Sequence, residues 1–313
     1  MPRLANKRLL FVTGKGGVGK STVAIALGLA AARRGLRTIV AELGGQERAG
    51  AAFGHRPGAS SGRELRLDGL LHAISIEPQQ AMEEYLHQKA GAFGGVLSAS
   101  RTFHGFVSAT PGMRELLALG KAWELSQERR RVPDGLPYDL VIVDAPATGH
   151  GVGALRTPRT FAEIARVGPI ASQGRTLDEA FADPAQTAVL AVALAEEMPV
   201  NETLSLRSAL REELGIELAG AIVNAVVADR LGPRQATTVI DALATLDGNV
   251  SPLVHAALLA ARSEHIRAHA QREQIDRLSA GLSTIPTELP YLFAPAIDRD
   301  GLEQLSEALE GML

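Results

Sequence analysis

The sequence predicts an α/β protein built on a doubly wound, mostly parallel sheet, and three observations point there. Short continuous apolar runs alternate with helical stretches along the chain, as strands do when crossover helices bury both faces of their sheet. The first of these runs, residues 9–12, passes through a glycine-rich turn straight into an Ala- and Leu-rich helix. Finally, 46% of the residues are hydrophobic but only 4% aromatic, a composition suited to helices packed closely on a sheet.

The elements follow in order. After the strand at 9–12, residues 21–34 have helical composition, and Gly35 stops them. Residues 37–41 form a second apolar strand and residues 71–76 a third, closed by Pro78. The fourth, residues 140–143, is wholly apolar and ends in Asp144. A fifth spans 187–194, a sixth 219–227, and a seventh lies near 282–289. Two long intervals contain no good strand: 79–131 and 155–183. The first shows helical spacing through Met82, Tyr85, Leu86, Ala90 and Phe93, then Met113, Leu116, Leu117 and Trp123. Both intervals read as a helical subdomain inserted into one domain spanning residues 1–313. No internal repeat is visible, so the chain carries one such unit.

Composition narrows the chemistry. A formal net charge of −3 gives no reason to expect nucleic acid or an anionic membrane as a partner. The absence of cysteine excludes disulfides, Cys-ligated zinc, iron–sulfur clusters and thiol nucleophiles, and no zinc is expected. Residues 1–8 are short and polar, and no apolar run is long enough to span a bilayer. A cytoplasmic protein without a direct membrane anchor is expected.

The turn after the first strand is Gly14-Lys15-Gly16-Gly17-Val18-Gly19-Lys20-Ser21, followed by Thr22. It fits G-x-x-x-x-G-K-[ST], the phosphate loop or P-loop. Its glycines let backbone N–H groups converge on phosphate oxygens with no Cβ in the way. The loop opens into a helix N-terminus, where unpaired N–H groups and the dipole favour anions. Lys20 is placed to reach the β- and γ-phosphates of ATP or ADP, and the Ser21 hydroxyl to ligate Mg²⁺. Asp144 faces the same crevice from the carboxyl end of its strand and is a second candidate for holding Mg²⁺. The bland readings are a Gly-rich turn and a plain strand-end aspartate. The strand, motif, helix order argues against the first.

These residues carry a resemblance. The chain is similar, from about residue 8 to about residue 309, to the ArsA/Get3 family of ATPases, part of a larger group that contains MinD and ParA. The deviant loop of Gly14 to Ser21 is shared by the whole group. More specific are Asp144-x-x-x-Thr148-Gly149-His150 with Leu155-Arg156, which resembles the family's switch II segment. Pro111-Gly112-Met113-Arg114-Glu115 resembles its P-G-x-x-E, Ile222-Val223-Asn224 its I-V-N, and Leu289-Pro290 its L-P. The resemblance implies that Lys15 points across a two-fold axis to the partner's nucleotide, and that Asn224 and Pro290 contact the adenine. Without it, Lys15 is an exposed loop lysine and Asn224 a strand-end capping amide. It also implies a dimer, either of this chain or with a paralogous ATPase, and a helical subdomain that meets a hydrophobic client or protein partner.

Two departures stand out. There is no Cys pair for a zinc clasp or a metalloid site. In addition, ungapped counting puts Gly44 where the family's switch I carries the Asp that orients the attacking water, with Glu42 and Glu47 as nearby substitutes.

Weaker signals read as structural. His265 and His269 are spaced as two metal ligands on a helix could be, but with no third ligand nearby in sequence they read as a solvated face. Arg129-Arg130-Arg131 reads as an exposed helix end. Residues 301–313 are amphipathic but acidic, and so suit a packing helix rather than a membrane-targeting one. Phe93, Phe103 and Phe106 read as the core of the insert or a partner surface. Three functions are consistent with these features: a Mg²⁺-dependent dimeric ATPase switch, a weakly hydrolysing nucleotide-sensing subunit of a hetero-oligomer, and a MinD/ParA-like positioning ATPase.

Overall fold

The computed structural model describes residues 4–43, 45–90, 110–130, 135–145, 151–165, 167–245 and 251–313. Eight strands form one sheet in the order β3-β4-β2-β5-β1-β6-β7-β8. They are β1 (Leu9–Thr13), β2 (Thr38–Glu42), β3 (Leu65–Asp68), β4 (Leu71–Ser75), β5 (Leu140–Asp144), β6 (Thr187–Leu194), β7 (Leu218–Val226) and β8 (Thr287–Pro290). Every neighbouring pair is parallel except β3 with β4.

Every residue of β1, β2, β4 and β5 is buried, because helices cover both faces of the sheet. Alternation along β1 sends Leu10 and Val12 to one side and Leu9 and Phe11 to the other. The first side packs on α1 (Lys20–Arg33) through Val23, Ala24 and Leu27, and on α10 (Arg299–Leu309) through Leu302, Leu305 and Leu309. Here the acidic C-terminal stretch is a packing helix, as its pattern predicts.

The second side packs on α4 (Met113–Leu125), α5 (Gly151–Ala165) and α6 (Pro169–Ala182) through Leu116, Leu119, Leu155, Phe161, Leu177 and Phe181. With α3 (Pro78–Ala90), which adds Ala81 and Met82, these are the described helices of the two strandless intervals, and they share one core with the sheet. Gly112, of the Pro-Gly motif, starts α4 at φ +79°, and a Cβ there would press within 3.2 Å of the Phe161 ring. At the β7 end of the sheet, α7 (Glu197–Ala209) and α9 (Pro252–Leu282) bury Val200, Ile275 and Leu278 against Ala221 and Val223. Helices α2 (Arg48–Ala52) and α8 (Pro233–Thr245) complete the described set.

Three expectations need correction. The antiparallel edge strand β3 was not anticipated, because none of its four residues is fully buried and Arg66 and Asp68 alternate with its leucines. The last strand starts at Thr287, because α9 runs on through Leu282 and turns at Ser283, φ +55°. Finally, Arg130 is no exposed helix end: its side chain is 1% exposed. It donates to both carboxylate oxygens of Glu64, at 2.6 and 2.8 Å, and pairs with Glu124 at 3.4 Å. Tyr138 Oη donates to Glu64, and Lys121 bridges Glu124 and Glu84, so the charges form a continuous chain buried at Arg130, Glu124 and Lys121 and open to solvent at its two ends. Phe93, Phe103, Phe106 and Arg131 lie outside the described residues.

Candidate nucleotide site

The site forms where β1, β2, β5 and β7 end. The loop leaves β1 at Gly14 and enters α1 at Lys20, so the helix N-terminus faces the space above the strands. Two glycines are sterically compelled. Gly14 has φ +144°, and a Cβ on it would meet the Val192 carbonyl oxygen at 2.2 Å. Gly19 has φ +90°, and a Cβ there would meet the Asn224 amide nitrogen at the same distance. Val18 is buried, whereas Gly16 and Gly17 are exposed at the tip.

Lys20 is buried and its Nζ donates to the Lys15 carbonyl at 2.8 Å, folding the side chain back over the loop. Burial lowers its pKa, Asp144 opposes that, and Arg48 adds to it. Beside it, Ser21 Oγ accepts from Arg48 Nη1 at 3.1 Å and lies near the Asp144 carboxylate. Thr22 follows on α1, half-buried.

Asp144 pairs with Val12 on one side and Glu42 on the other, which places it at the level of the loop. Burial pushes its pKa up, against Ser21, Lys20 and Arg48. Glu42 is raised to about 7, again first by burial. One oxygen of each carboxylate, Asp144 Oδ1 and Glu42 Oε2, is buried with no hydrogen-bond partner among the described residues. Buried acceptors of this kind are costly unless something fills the gap. Hard oxygen donors of this type beside a serine hydroxyl fit Mg²⁺.

Glu42 and Arg48 are site residues that sequence reasoning missed or undervalued. The signal for Glu42 was its place on the strand next to Asp144. Neither candidate substitute at switch I is free. Glu42 Oε1 accepts the Arg48 and Ala49 N–H groups at 2.7 and 3.2 Å, capping α2. Glu47 accepts from the Gly58 N–H and the Ser60 hydroxyl. Gly44 itself, and Thr148, Gly149 and His150, lie outside the described residues. Of the switch-like segment, Leu155 is buried in the core and Arg156 pairs at the surface with Glu213.

Lys15 is held within its own chain: its Nζ lies 2.8 Å from Glu202 Oε1 on α7 and 3.8 Å from the Met198 sulfur. Asn224 ends up against the loop, its Nδ2 donating to the Val18 carbonyl at 3.0 Å. The next residue, Ala225, is left-handed at φ +58°. Pro290 ends β8 beside Val226, two residues from Asn224, and is exposed.

A phosphate loop between a parallel strand and a helix, faced by a strand-end aspartate, defines a P-loop nucleotide-binding protein. The chain also matches the family model for anion-transporting ATPases (ArsA) over residues 7–168 and 164–237, and it belongs to the ArsA/Get3 family of P-loop ATPases. Its relatives include ATPase BagA of Mycobacterium tuberculosis, 28% identical over 326 residues, which cover 98% of this chain and 94% of that protein. The arsenical pump-driving ATPase of Escherichia coli is 25% identical, covering 90% of this chain and 46% of that protein. ATPase GET3 of Lachancea thermotolerans is 25% identical over 71% of each. Among the described residues, no helix is long and apolar enough to cross a membrane.

Proposed function

We propose that the chain is a Mg²⁺-dependent ATP-binding and hydrolysing switch that works as a dimer and couples nucleotide state to a client or partner protein. The observation that carries this reading is the convergence of Lys20, Ser21 and two incompletely satisfied carboxylates, Asp144 and Glu42, at the mouth of the loop. In this reading the loop amides hold the phosphates, and Lys20 leaves the Lys15 carbonyl for the β- and γ-phosphates. Ser21 and Asp144 would hold Mg²⁺, which when bound neutralises charge on the phosphoryl oxygens. Asn224, anchored to Val18, and Pro290 would border the base. Lys15 would leave Glu202 and cross to the partner's nucleotide, stabilising charge on the transferring group.

Support for a partner-binding role comes from the second helical layer. An apolar cleft of about 60 Å³ between α3, α4 and α6 is lined by Tyr85, Met113, Leu116, Leu117, Trp123 and Ile170. We read residues 79–131 and 155–183 as the subdomain whose repacking transmits the nucleotide state. Burial of the apolar face of α10 argues against a membrane-positioning role. A cytoplasmic location fits the cysteine-free composition.

A specific observation favours one second reading. Glu47 is bonded through both carboxylate oxygens, Glu42 is held through Oε1 by two backbone amides, and Gly44 supplies no carboxylate. A nucleotide-sensing subunit that hydrolyses slowly, with a paralogue supplying the competent site, follows from it.

Calorimetry with ATP and Mg²⁺, paired with phosphate release by the purified chain, tests both readings. Binding with measurable turnover supports the switch, and binding without turnover supports the sensor. Lys20→Ala should weaken ATP binding by about 10²-fold or more, the loss of two charge-assisted contacts. Unchanged affinity would remove the basis of both.

A further inference from the structure

The fold supplies the third group that the helical histidine pair lacks in sequence. His265 and His269 lie one turn apart on α9, their ring centroids 4.4 Å apart. Asp229, on the loop after β7, reaches both from 36 residues away: its Oδ1 lies 3.0 Å from His265 Nδ1 and its Oδ2 3.4 Å from His269 Nε2. One nitrogen from each imidazole and one carboxylate oxygen all fall within 4.8 Å of one another.

We propose that Asp229, His265 and His269 form a binding site for a divalent transition metal of the Zn²⁺ class, with at least one coordination position left open to solvent. This departs from the expectation of no zinc and from the reading of the histidine pair as a solvated helical face.

The chemistry selects the metal. Two imidazoles and a carboxylate suit Zn²⁺, Co²⁺, Ni²⁺ and Cu²⁺, whereas Mg²⁺ and Ca²⁺ prefer all-oxygen shells. Bonds of about 2.0–2.1 Å in a tetrahedral shell put neighbouring ligand atoms about 3.3 Å apart. The two Asp–His separations, 3.0 and 3.4 Å, run to different oxygens of Asp229, and the one-oxygen, two-nitrogen set lies within 4.8 Å, so the shell must contract around an ion. Small rotations of surface side chains close the rest. His269 is 63% exposed and Asp229 39%, so the open position faces water.

The scaffold holds these ligands independently of a metal. Gln271, buried on α9 two residues past His269, donates through Nε2 to the Ala225 carbonyl and accepts the Val227 N–H through Oε1. Asp229 Oδ1 accepts the Leu231 N–H, and Arg230 pairs with Glu264 on α9. The loop is therefore fastened to the helix on both sides of Asp229. Without metal, Asp229 can instead bridge protonated imidazoles, so metal uptake and His–Asp pairing are the alternatives to separate.

The test uses the full chain without an affinity tag, stripped with EDTA and free of nucleotide, titrated with Zn²⁺ against a chromophoric chelator and with Co²⁺ by visible absorption. One equivalent should bind at pH 7.5. His265→Gln, His269→Gln and Asp229→Asn should each weaken binding at least tenfold, with circular dichroism unchanged, and His269→Gln, the most exposed of the three, should leave melting unchanged as well. Asp144→Asn should retain the uptake, and Mg²⁺ should not compete. No stoichiometric uptake, uptake unchanged in the His265→Gln/His269→Gln double variant, or uptake lost in Asp144→Asn would overturn the proposal.

Discussion

Glu42 and Asp144 stand opposite one another in the β2–β5 ladder, and each buries a carboxylate oxygen that accepts no hydrogen bond from the described residues. Burial raises the pKa of both, so the ligand-free fold holds them against their preference for solvent. Sites arranged for a ligand commonly cost stability in this way. Asp144→Asn should therefore lower turnover by about 10²-fold or more and weaken its dependence on Mg²⁺, while raising the melting temperature in EDTA by about 1–4 °C. Glu42→Gln should act in the same direction, more weakly. A Mg²⁺ titration of turnover decides it, and an unaltered midpoint in Asp144→Asn would take that residue out of the metal site.

The contact between Lys15 and Glu202 leads to a second expectation. Within one chain it ties the loop to α7, an exposed pair worth no more than about 1 kcal/mol. Glu202→Ala should release Lys15 and promote ATP-dependent dimerisation by up to about fivefold. Lys15→Ala should keep ATP affinity within about threefold but abolish dimerisation or turnover. Sedimentation with and without ATP reads the first, and calorimetry the second. A collapse of affinity in Lys15→Ala comparable to Lys20→Ala would mean that Lys15 serves its own subunit.

Gly44 sets a third. Among the described residues Glu47 is bonded through both oxygens and Glu42 through Oε1, so that only the buried Glu42 Oε2 is left near this position to orient water. The isolated chain should be a slow ATPase, and Gly44→Asp should raise turnover by about 10-fold or more, within the usual range for a positioning group. Single-turnover phosphate release measures this. Fast wild-type turnover that survives Glu42→Gln and Glu47→Gln would contradict it.

The fourth concerns stability and pH. Burial pushes the Glu64 pKa up, but the bonds from Arg130 and Tyr138 and the Arg130 charge outweigh it, and the net value lies below the ordinary range. A depressed folded-state value stabilises the protein above the unfolded-state pKa and ceases to do so as pH falls through the folded one. Glu64→Gln should cost about 2–3 kcal/mol near pH 7, because it leaves the buried Arg130 with only Glu124. The deficit should shrink as pH falls through and below the ordinary glutamate range, where wild-type Glu64 protonates. Urea melts at several pH values test it, and a deficit that does not change with pH would show that packing, not charge, holds Glu64.

Local pattern and tertiary juxtaposition divide what was legible in sequence from what was not. The strands that carry the site were legible because burial on both faces makes them continuously apolar, as in Leu140 to Val143. The loop was legible because its chemistry lies within eight consecutive residues. Strand β3 was not, since half-buried edge positions tolerate Arg66 and Asp68. Arg130 read as solvated because Glu64, which neutralises it, lies 66 residues away. The same holds for Asp229 beside the histidine pair, and for Asn224, whose amide is fixed by a carbonyl 206 residues earlier.

The two borders of the sheet have a further consequence. Each outermost strand is only four residues long. On one side β3 is interrupted by an irregularity between Arg66 and Asp68, and Asp68 is held by Arg299. On the other, β8 ends in Pro290, which has no N–H to offer. Short, kinked or proline-terminated borders are poor templates for a foreign strand. The molecule is thereby protected against runaway edge-to-edge polymerisation, and copies of it that associate are steered toward meeting through side-chain surfaces rather than by extending one another's hydrogen-bond ladders.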